Sequence, residues 1–269
     1  MAHHGNDNTT IGSYRYPFEE LADERTRTWP LVQSPWNVAA ILALYLLMAR
    51  FGPKWAARYK PLQLRVPLFC HSLAMVLLNA HIFLEVLTAS RALDYSFACQ
   101  ACRVSYSPHE MRIAAAIWWF YISKILEFAD TAFFILRHKW RQLSFLHVYH
   151  HSSMFVMCWI AIKWTPTGSS YVPAFINSFV HIIMYSYYAL SALGPRIQKF
   201  LWWKRYLTGL QLLQFAIGLL WAGQAFVRGC EYGTGILLMD FVYVVPFVFL
   251  FGKFYRKNYG KPVENKKIK

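Results

Sequence analysis

The sequence predicts an all-α integral membrane protein with about seven transmembrane helices. Three observations predict it. Of the 269 residues, 57% are hydrophobic and only 15% are charged, whereas soluble domains carry about 25% charged residues. Several apolar stretches approach the roughly 20 residues that a membrane-crossing helix needs. The basic residues gather in short segments between those stretches, as cytosolic loops do.

The spans are expected near 37–51, 67–90, 111–136, 143–163, 171–192, 206–227 and 235–252. The stretch before them, 1–36, is polar and lacks an apolar run followed by small residues, so no cleavable signal peptide is expected. The third span is apolar but carries Lys124, Glu127, Asp130 and Thr131. The fourth is the least apolar because it opens on histidines, and the sixth begins with the interfacial pair Trp202-Trp203. No internal repeat or low-complexity tract divides the chain. The expected organisation is a lumenal tail over 1–36, one catalytic transmembrane domain over 37–252 and a cytosolic tail over 253–269.

Charge placement sets the expected orientation. Segments 50–66, 137–142, 195–205 and 253–269 hold 19 of the 28 Lys and Arg residues. These segments are expected in the cytosol, which leaves the N-terminus in the lumen. The net charge of +15 is therefore read as topology plus anionic-ligand binding. No basic face with a nucleic-acid module is visible, so no nucleic-acid partner is expected. The sequon Asn8-Thr9-Thr10 falls in the expected lumenal tail, which makes Asn8 a candidate glycosylation site. The terminal Lys266-Lys267-Ile268-Lys269 resembles the dilysine retrieval signal of endoplasmic reticulum membrane proteins. Cys99, Cys102 and Cys230 fall in expected lumenal loops, where a disulfide persists. Either Cys99 or Cys102 is expected to pair with Cys230. Cys70 and Cys158 lie in spans and are expected to pack as small core residues.

Polar side chains inside a span are costly and mark functional interiors. Lys124, Glu127 and Thr131 share a helix face by their spacing, and Asp130 lies beside it. His147, His150 and His151 are expected to project to one side of the fourth helix. Asn177 and His181 lie one turn apart on the fifth. Lys204 and Arg205 sit at the same expected level as His147, Arg137 and Lys139, a cluster suited to a phosphate-bearing ligand. Gln211 and Gln214 are expected to hydrogen-bond neighbouring helices. His71 and His81 are expected in packing or interfacial roles, and Glu85 and Asp240 near the lumenal ends.

The chemistry of the histidines leaves two readings. A histidine-box desaturase or hydroxylase also carries HxxHH and acts on acyl chains. Such a site needs further boxes, and only His147, His150, His151 and His181 gather in the candidate site. The other reading is acyl transfer without a metal. Imidazole is a nucleophile that carries an acyl group and moves protons near neutral pH. A second histidine positioned by an amide such as Asn177 then serves the other half of a two-step reaction. A non-catalytic lipid-binding protein is the third possibility, and the intact His, Lys and Asn positions argue against it.

Together these residues resemble the ELO family, the elongation of very long chain fatty acids proteins. The likeness rests on Lys124-x-x-Glu127-x-x-Asp130-Thr131, His147-x-x-His150-His151, His181-x-x-Met184-Tyr185-x-Tyr187-Tyr188 and Gln211-x-x-Gln214. It runs from about Trp29 to Tyr259, and the text FLHVYHH and LWWKRYLT resembles the animal very-long-chain branch. The resemblance implies a bundle in which six of seven helices enclose an acyl tunnel. It implies condensation of long-chain acyl-CoA with malonyl-CoA to a 3-oxoacyl-CoA, with loss of carbon dioxide and CoA. His150 is then the expected nucleophile and His181 supports the second stage, with His147, His151 and Asn177 shaping the site. Carried over likewise, Lys124, Arg137, Lys139, Gln142, His147, Tyr187, Lys204 and Thr208 hold CoA and its pantetheine arm. The resemblance favours Cys99 as the partner of Cys230. No metal or redox cofactor is expected. The expected partners are the two CoA substrates, membrane lipid, and a homo- or hetero-oligomer with other enzymes of the elongation cycle.

Overall fold

The structure, a computed structural model, describes residues 21–232 and 234–259, and among these all regular structure is helical. Helix α1 spans Pro35–Ala56. The Ser34 hydroxyl accepts from the Trp36 N–H, and Pro35 has no N–H to leave unpaired at the first position. Helix α2 spans Arg65–Ala92 and α3 spans Pro108–Leu126, the latter capped by Ser107. Helix α4 spans Phe128–Leu136 and α5 spans Phe145–Trp164. The Ser144 hydroxyl accepts from the His147 N–H at 3.2 Å, which fixes His147 in the first turn of α5. Helices α6, α7 and α8 span Tyr171–Ala192, Lys204–Val227 and Thr234–Tyr259. Single turns at Gly168–Ser170 and Pro195–Gln198 precede α6 and α7.

The third expected span is thus two helices. Ser123 turns its hydroxyl back to the Phe120 carbonyl at 2.7 Å. Just beyond it, the Asp130 N–H reaches the Glu127 carbonyl, three residues back, at 3.1 Å. This tighter i to i+3 bond interrupts the regular ladder at Glu127.

Among the described residues, four helices are long and apolar enough to cross a membrane: Pro35–Ala56, Arg65–Ala92, Lys204–Val227 and the Gly235–Tyr259 stretch of α8. Helices α3, α5 and α6 carry the polar side chains, which lowers their hydropathy. Burial is inverted relative to a soluble domain. Leu44, Leu47, Leu77, Leu84, Leu220 and Phe249 are exposed, while Lys124, Glu127, Thr131, Asn177 and His181 are buried. Neighbouring helices touch in the order α2, α3, α5, α8, α7, α6 and back to α2, and α1 lies against α4 and α5. Gly52 allows that last approach, since a Cβ there would stand 2.9 Å from Cδ1 of Ile135.

The end of the bundle away from the start of α5 is sealed by loops. Cys99 and Cys230 form a disulfide that ties the loop after α2 to the loop after α7. The Trp221 indole N–H donates to the Phe97 carbonyl at 2.7 Å. Gly168 sits at a φ of +66°, and a Cβ on it would lie 2.7 Å from the Cys102 nitrogen. The segment from Asp23 to Val32, expected as tail, packs into this end. The Thr26 hydroxyl donates to the Ile162 carbonyl at 2.7 Å, and Arg25 pairs with Asp23 at 2.7 Å with both side chains buried. Cys158 is buried as expected, but Cys70 is exposed, because its face of α2 is an outer one. Asn8 and the terminal lysines lie outside the described residues.

Candidate active site

The break between α3 and α4 directs a charged pair inward. Lys124 and Glu127 meet at 2.7 Å with side chains 1% exposed. An unpaired charge at this depth would be strongly unfavourable, so each requires the other. Lys124 also donates to Asn177 Oδ1 at 3.0 Å, which draws α6 to the site. At the same carboxylate oxygen that Lys124 meets, His181 Nδ1 stands 3.1 Å from Glu127 Oε1. His151 Nδ1 stands 3.7 Å from Oε2. Glu127 is therefore the hub of a lysine and two histidines drawn from α3, α5 and α6.

Two further links extend this network. His147 Nε2 lies 2.7 Å from Thr131 Oγ1, which in turn lies 3.3 Å from the Tyr45 hydroxyl of α1. Asp130 accepts from the Tyr185 hydroxyl at 2.7 Å and sits 3.3 Å from His71 Nε2. His71, expected only in packing or at the interface, thus belongs to the polar interior. Its partner is remote in sequence, so no local spacing reveals it. Tyr45 likewise carries no sequence signal, being one aromatic residue in an apolar run.

The three histidines of α5 do not act as one face. Residues 147 and 151 are separated by one full turn and stay together, with ring centroids 4.3 Å apart. Residue 150 lies about 100° from residue 151 around the helix axis. His150 turns instead to Phe247 of α8 at 5.4 Å and Phe215 of α7 at 6.5 Å. There it lines a cavity of about 140 Å³ that also touches Asn177. Ile117, Met154, Cys158, Ile176, Trp221 and Val244 make most of the wall apolar. The cavity follows α5 from His150 to Ala161 and reaches Thr165 just past the helix end, so its α5 wall is about 17 Å long at the helical rise. Gln214 joins this lining, whereas Gln211 donates to Met184 Sδ at 3.3 Å.

The expected CoA-contacting residues fall into three places. Lys124 and His147 are in the interior, Lys124 on Glu127 and Asn177 and His147 on Thr131. Arg137, Lys139 and Gln142 form the turn between α4 and α5, with Lys139 and Gln142 exposed. Tyr187, Lys204 and Thr208 lie where α6 ends and α7 begins, and Tyr187 packs on Trp203 at 5.0 Å. Both surface groups belong to the end of the bundle where α5 starts. Among the described residues, no three His, Cys, Asp or Glu side chains converge as a metal site would require. The arrangement places the His150 imidazole on an apolar cavity, with His151 and His181 gathered on Glu127 behind it.

Comparison with known proteins agrees with this arrangement. The chain is 46% identical over 259 residues to very long chain fatty acid elongase 4 of Homo sapiens, covering 96% of this chain and 82% of that protein. It is 40% identical over 250 residues to very long chain fatty acid elongase 7 of Drosophila melanogaster, covering 92% and 76%. With very long chain fatty acid elongase 2 of Mus musculus the identity is 39% over 246 residues, covering 91% and 84%. The family match spans residues 30–267, from the segment sealing one end of the bundle to the terminal lysines, and by it the chain belongs to the GNS1/SUR4 (ELO) family.

Proposed function

We propose that this chain is a fatty acid elongase that condenses long-chain acyl-CoA with malonyl-CoA to a 3-oxoacyl-CoA two carbons longer. The observation that carries this reading is the placement of His150. It alone of the α5 histidines faces the long apolar cavity, while His151 and His181 stay behind it on Glu127. An acyl chain lying in that cavity presents its thioester carbonyl to the imidazole.

The reaction proceeds in two stages. A nitrogen of His150 attacks the thioester carbonyl, the C–N bond forms, the C–S bond breaks, and CoA leaves as the thiol after taking a proton. Malonyl-CoA then enters and loses carbon dioxide. The resulting carbanion attacks the acyl carbon, the C–N bond breaks, and the departing ring nitrogen takes a proton from solvent to regenerate the neutral imidazole. Carbon–carbon bond formation balances without an oxidant or reductant, so no redox cofactor is needed, and the imidazole takes the place of a metal in activating the acyl group. His181 supports the second stage. Its Nδ1 faces Glu127, the relation in which a carboxylate orients an imidazole. Arg137, Lys139, Gln142, Tyr187, Lys204 and Thr208 hold CoA at the open end, while Lys124 acts from the interior by holding Glu127 and Asn177.

In the membrane, the helices make seven crossings, with α3 and α4 counted as one and α2 to α8 enclosing the tunnel. The neighbour order of the helices supports this. The end bearing Arg137 and Lys204 faces the cytosol, and the disulfide end faces the lumen of the endoplasmic reticulum. Assembly with other enzymes of the elongation cycle would pass the 3-oxo product onward. The test is purified protein incubated with a panel of acyl-CoAs and labelled malonyl-CoA, with products resolved by mass. A labelled 3-oxoacyl-CoA two carbons longer is expected. A desaturated or hydroxylated product of unchanged length would contradict the reading. A chelator should leave the rate unchanged. Abolition by chelation, with recovery on adding back iron or zinc, would count against the metal-free mechanism.

A further inference from the structure

Asp240 has no role in the reaction above, yet it lines the cavity that the acyl chain is proposed to occupy. Away from the reacting end, the other polar groups on that wall have hydrogen-bond partners. The Tyr232 hydroxyl donates to Thr165 Oγ1 at 3.0 Å, Tyr243 pairs with Ser153 at 2.9 Å, and the Ser170 hydroxyl donates to the Thr167 carbonyl at 2.9 Å. Asn177 accepts from Lys124. His150 and Gln214 stand at the reacting end. Asp240 makes no hydrogen bond or ion pair with any described residue, and its neighbours on the wall include Met239, Val244 and Ile236. A carboxyl group facing apolar space without a partner is unfavourable, and such a group inside a native protein calls for an explanation.

Its position says what would supply the partner. Phe247 touches His150, and Asp240 precedes Phe247 by two turns, about 10 Å along the axis of α8. A chain whose thioester sits at His150 therefore passes Asp240 along its middle, not at its methyl end. We propose that Asp240 forms a subsite for an oxygen function in mid-chain, so that hydroxylated acyl-CoAs are accepted as substrates. As a carboxylic acid it donates to the hydroxyl oxygen, and as a carboxylate it accepts the hydroxyl proton. With an unsubstituted chain that hydrogen bond goes to a water in the same place. This rests on the elongase reading, and the experiment separates the two.

Stearoyl-CoA and 10-hydroxystearoyl-CoA are compared as substrates of full-length wild-type, Asp240→Asn and Asp240→Leu protein, with labelled malonyl-CoA. Wild-type protein should elongate the hydroxylated chain with a kcat/KM at least equal to that of stearoyl-CoA. Asp240→Leu should lower the hydroxylated-to-plain ratio by about tenfold or more, the cost of burying a hydroxyl unpaired. Asp240→Asn should keep most of the ratio. Stearoyl-CoA elongation by each variant reports its folding. A second measurement needs no variant: moving the hydroxyl to carbon 18 should cost wild-type protein its advantage. A ratio unchanged by Asp240→Leu, or equal for mid-chain and terminal hydroxyls, overturns this proposal alone. Failure of wild-type protein to elongate either substrate overturns the elongase reading, and this proposal with it.

Discussion

Glu127 holds Lys124, His151 and His181 at once, and all four side chains lie in the interior. Removing one member of a buried ion pair strands the other, at a cost of about 3–5 kcal/mol. Lys124→Ala and Glu127→Ala should therefore each lower the thermal midpoint of the purified protein. The double variant should fall no further than the worse single variant, because no charge is then left unpaired. Additive losses would mean that the two side chains do not depend on each other. The sequence already placed Lys124, Glu127 and Thr131 on one helix face, because helical spacing is local. It could not place His71 against Asp130, since that contact depends on how α2 and α4 pack. Asp240 was read as lying near a helix end, and only the packing of α5, α7 and α8 shows that it faces a shared cavity.

At the scale of elements, α5 shows the limits of spacing. Three histidines within five residues were expected to share a side, yet the 100° step per residue parts His150 from His151. One ring then serves the cavity and the others serve the polar network. The positions of the long helices were legible from the apolar runs, while four of the seven expected spans are long and apolar enough to cross a membrane among the described residues. The break at Glu127 was not, because it arises from Ser123 and a tightened turn rather than from Gly or Pro. The sealed end yields a separate expectation. Gly168 occupies a left-handed conformation against the Cys102 backbone, so Gly168→Val is strained in φ and in space. That variant should lower the thermal midpoint more than Gly209→Val, a helical position with nothing within 4 Å of a Cβ. Equal stability of the two would refute the packing described there. Serine in place of both Cys99 and Cys230 should also lower the midpoint, by release of a link across 131 residues. No change in a non-reducing buffer would show that the bridge contributes nothing.

For the whole molecule, the proposed orientation puts the disulfide end in the lumen and the basic turns in the cytosol. A tag after Lys269 should be digested by protease added to sealed microsomes, and Asn8 should carry an endoglycosidase-sensitive glycan. A protected tag would reverse the orientation and remove CoA from the end where α5 begins. The family and the fatty acid elongase role were legible because the chemical residues sit in short motifs. The tunnel wall was not, because it is assembled from single side chains on helices distant in sequence. The most direct test of the two-stage reaction is acyl-CoA added to the protein without malonyl-CoA. Wild-type protein should release up to one equivalent of CoA per site and gain an acyl mass adduct on the peptide containing His150. His150→Ala should do neither. His181→Ala should still acylate but form 3-oxoacyl-CoA about 10²–10⁴-fold more slowly, the usual weight of a lost acid–base group. Release of CoA only when malonyl-CoA is also present, with no adduct on His150, would contradict the acyl-imidazole and leave direct attack between the two bound thioesters.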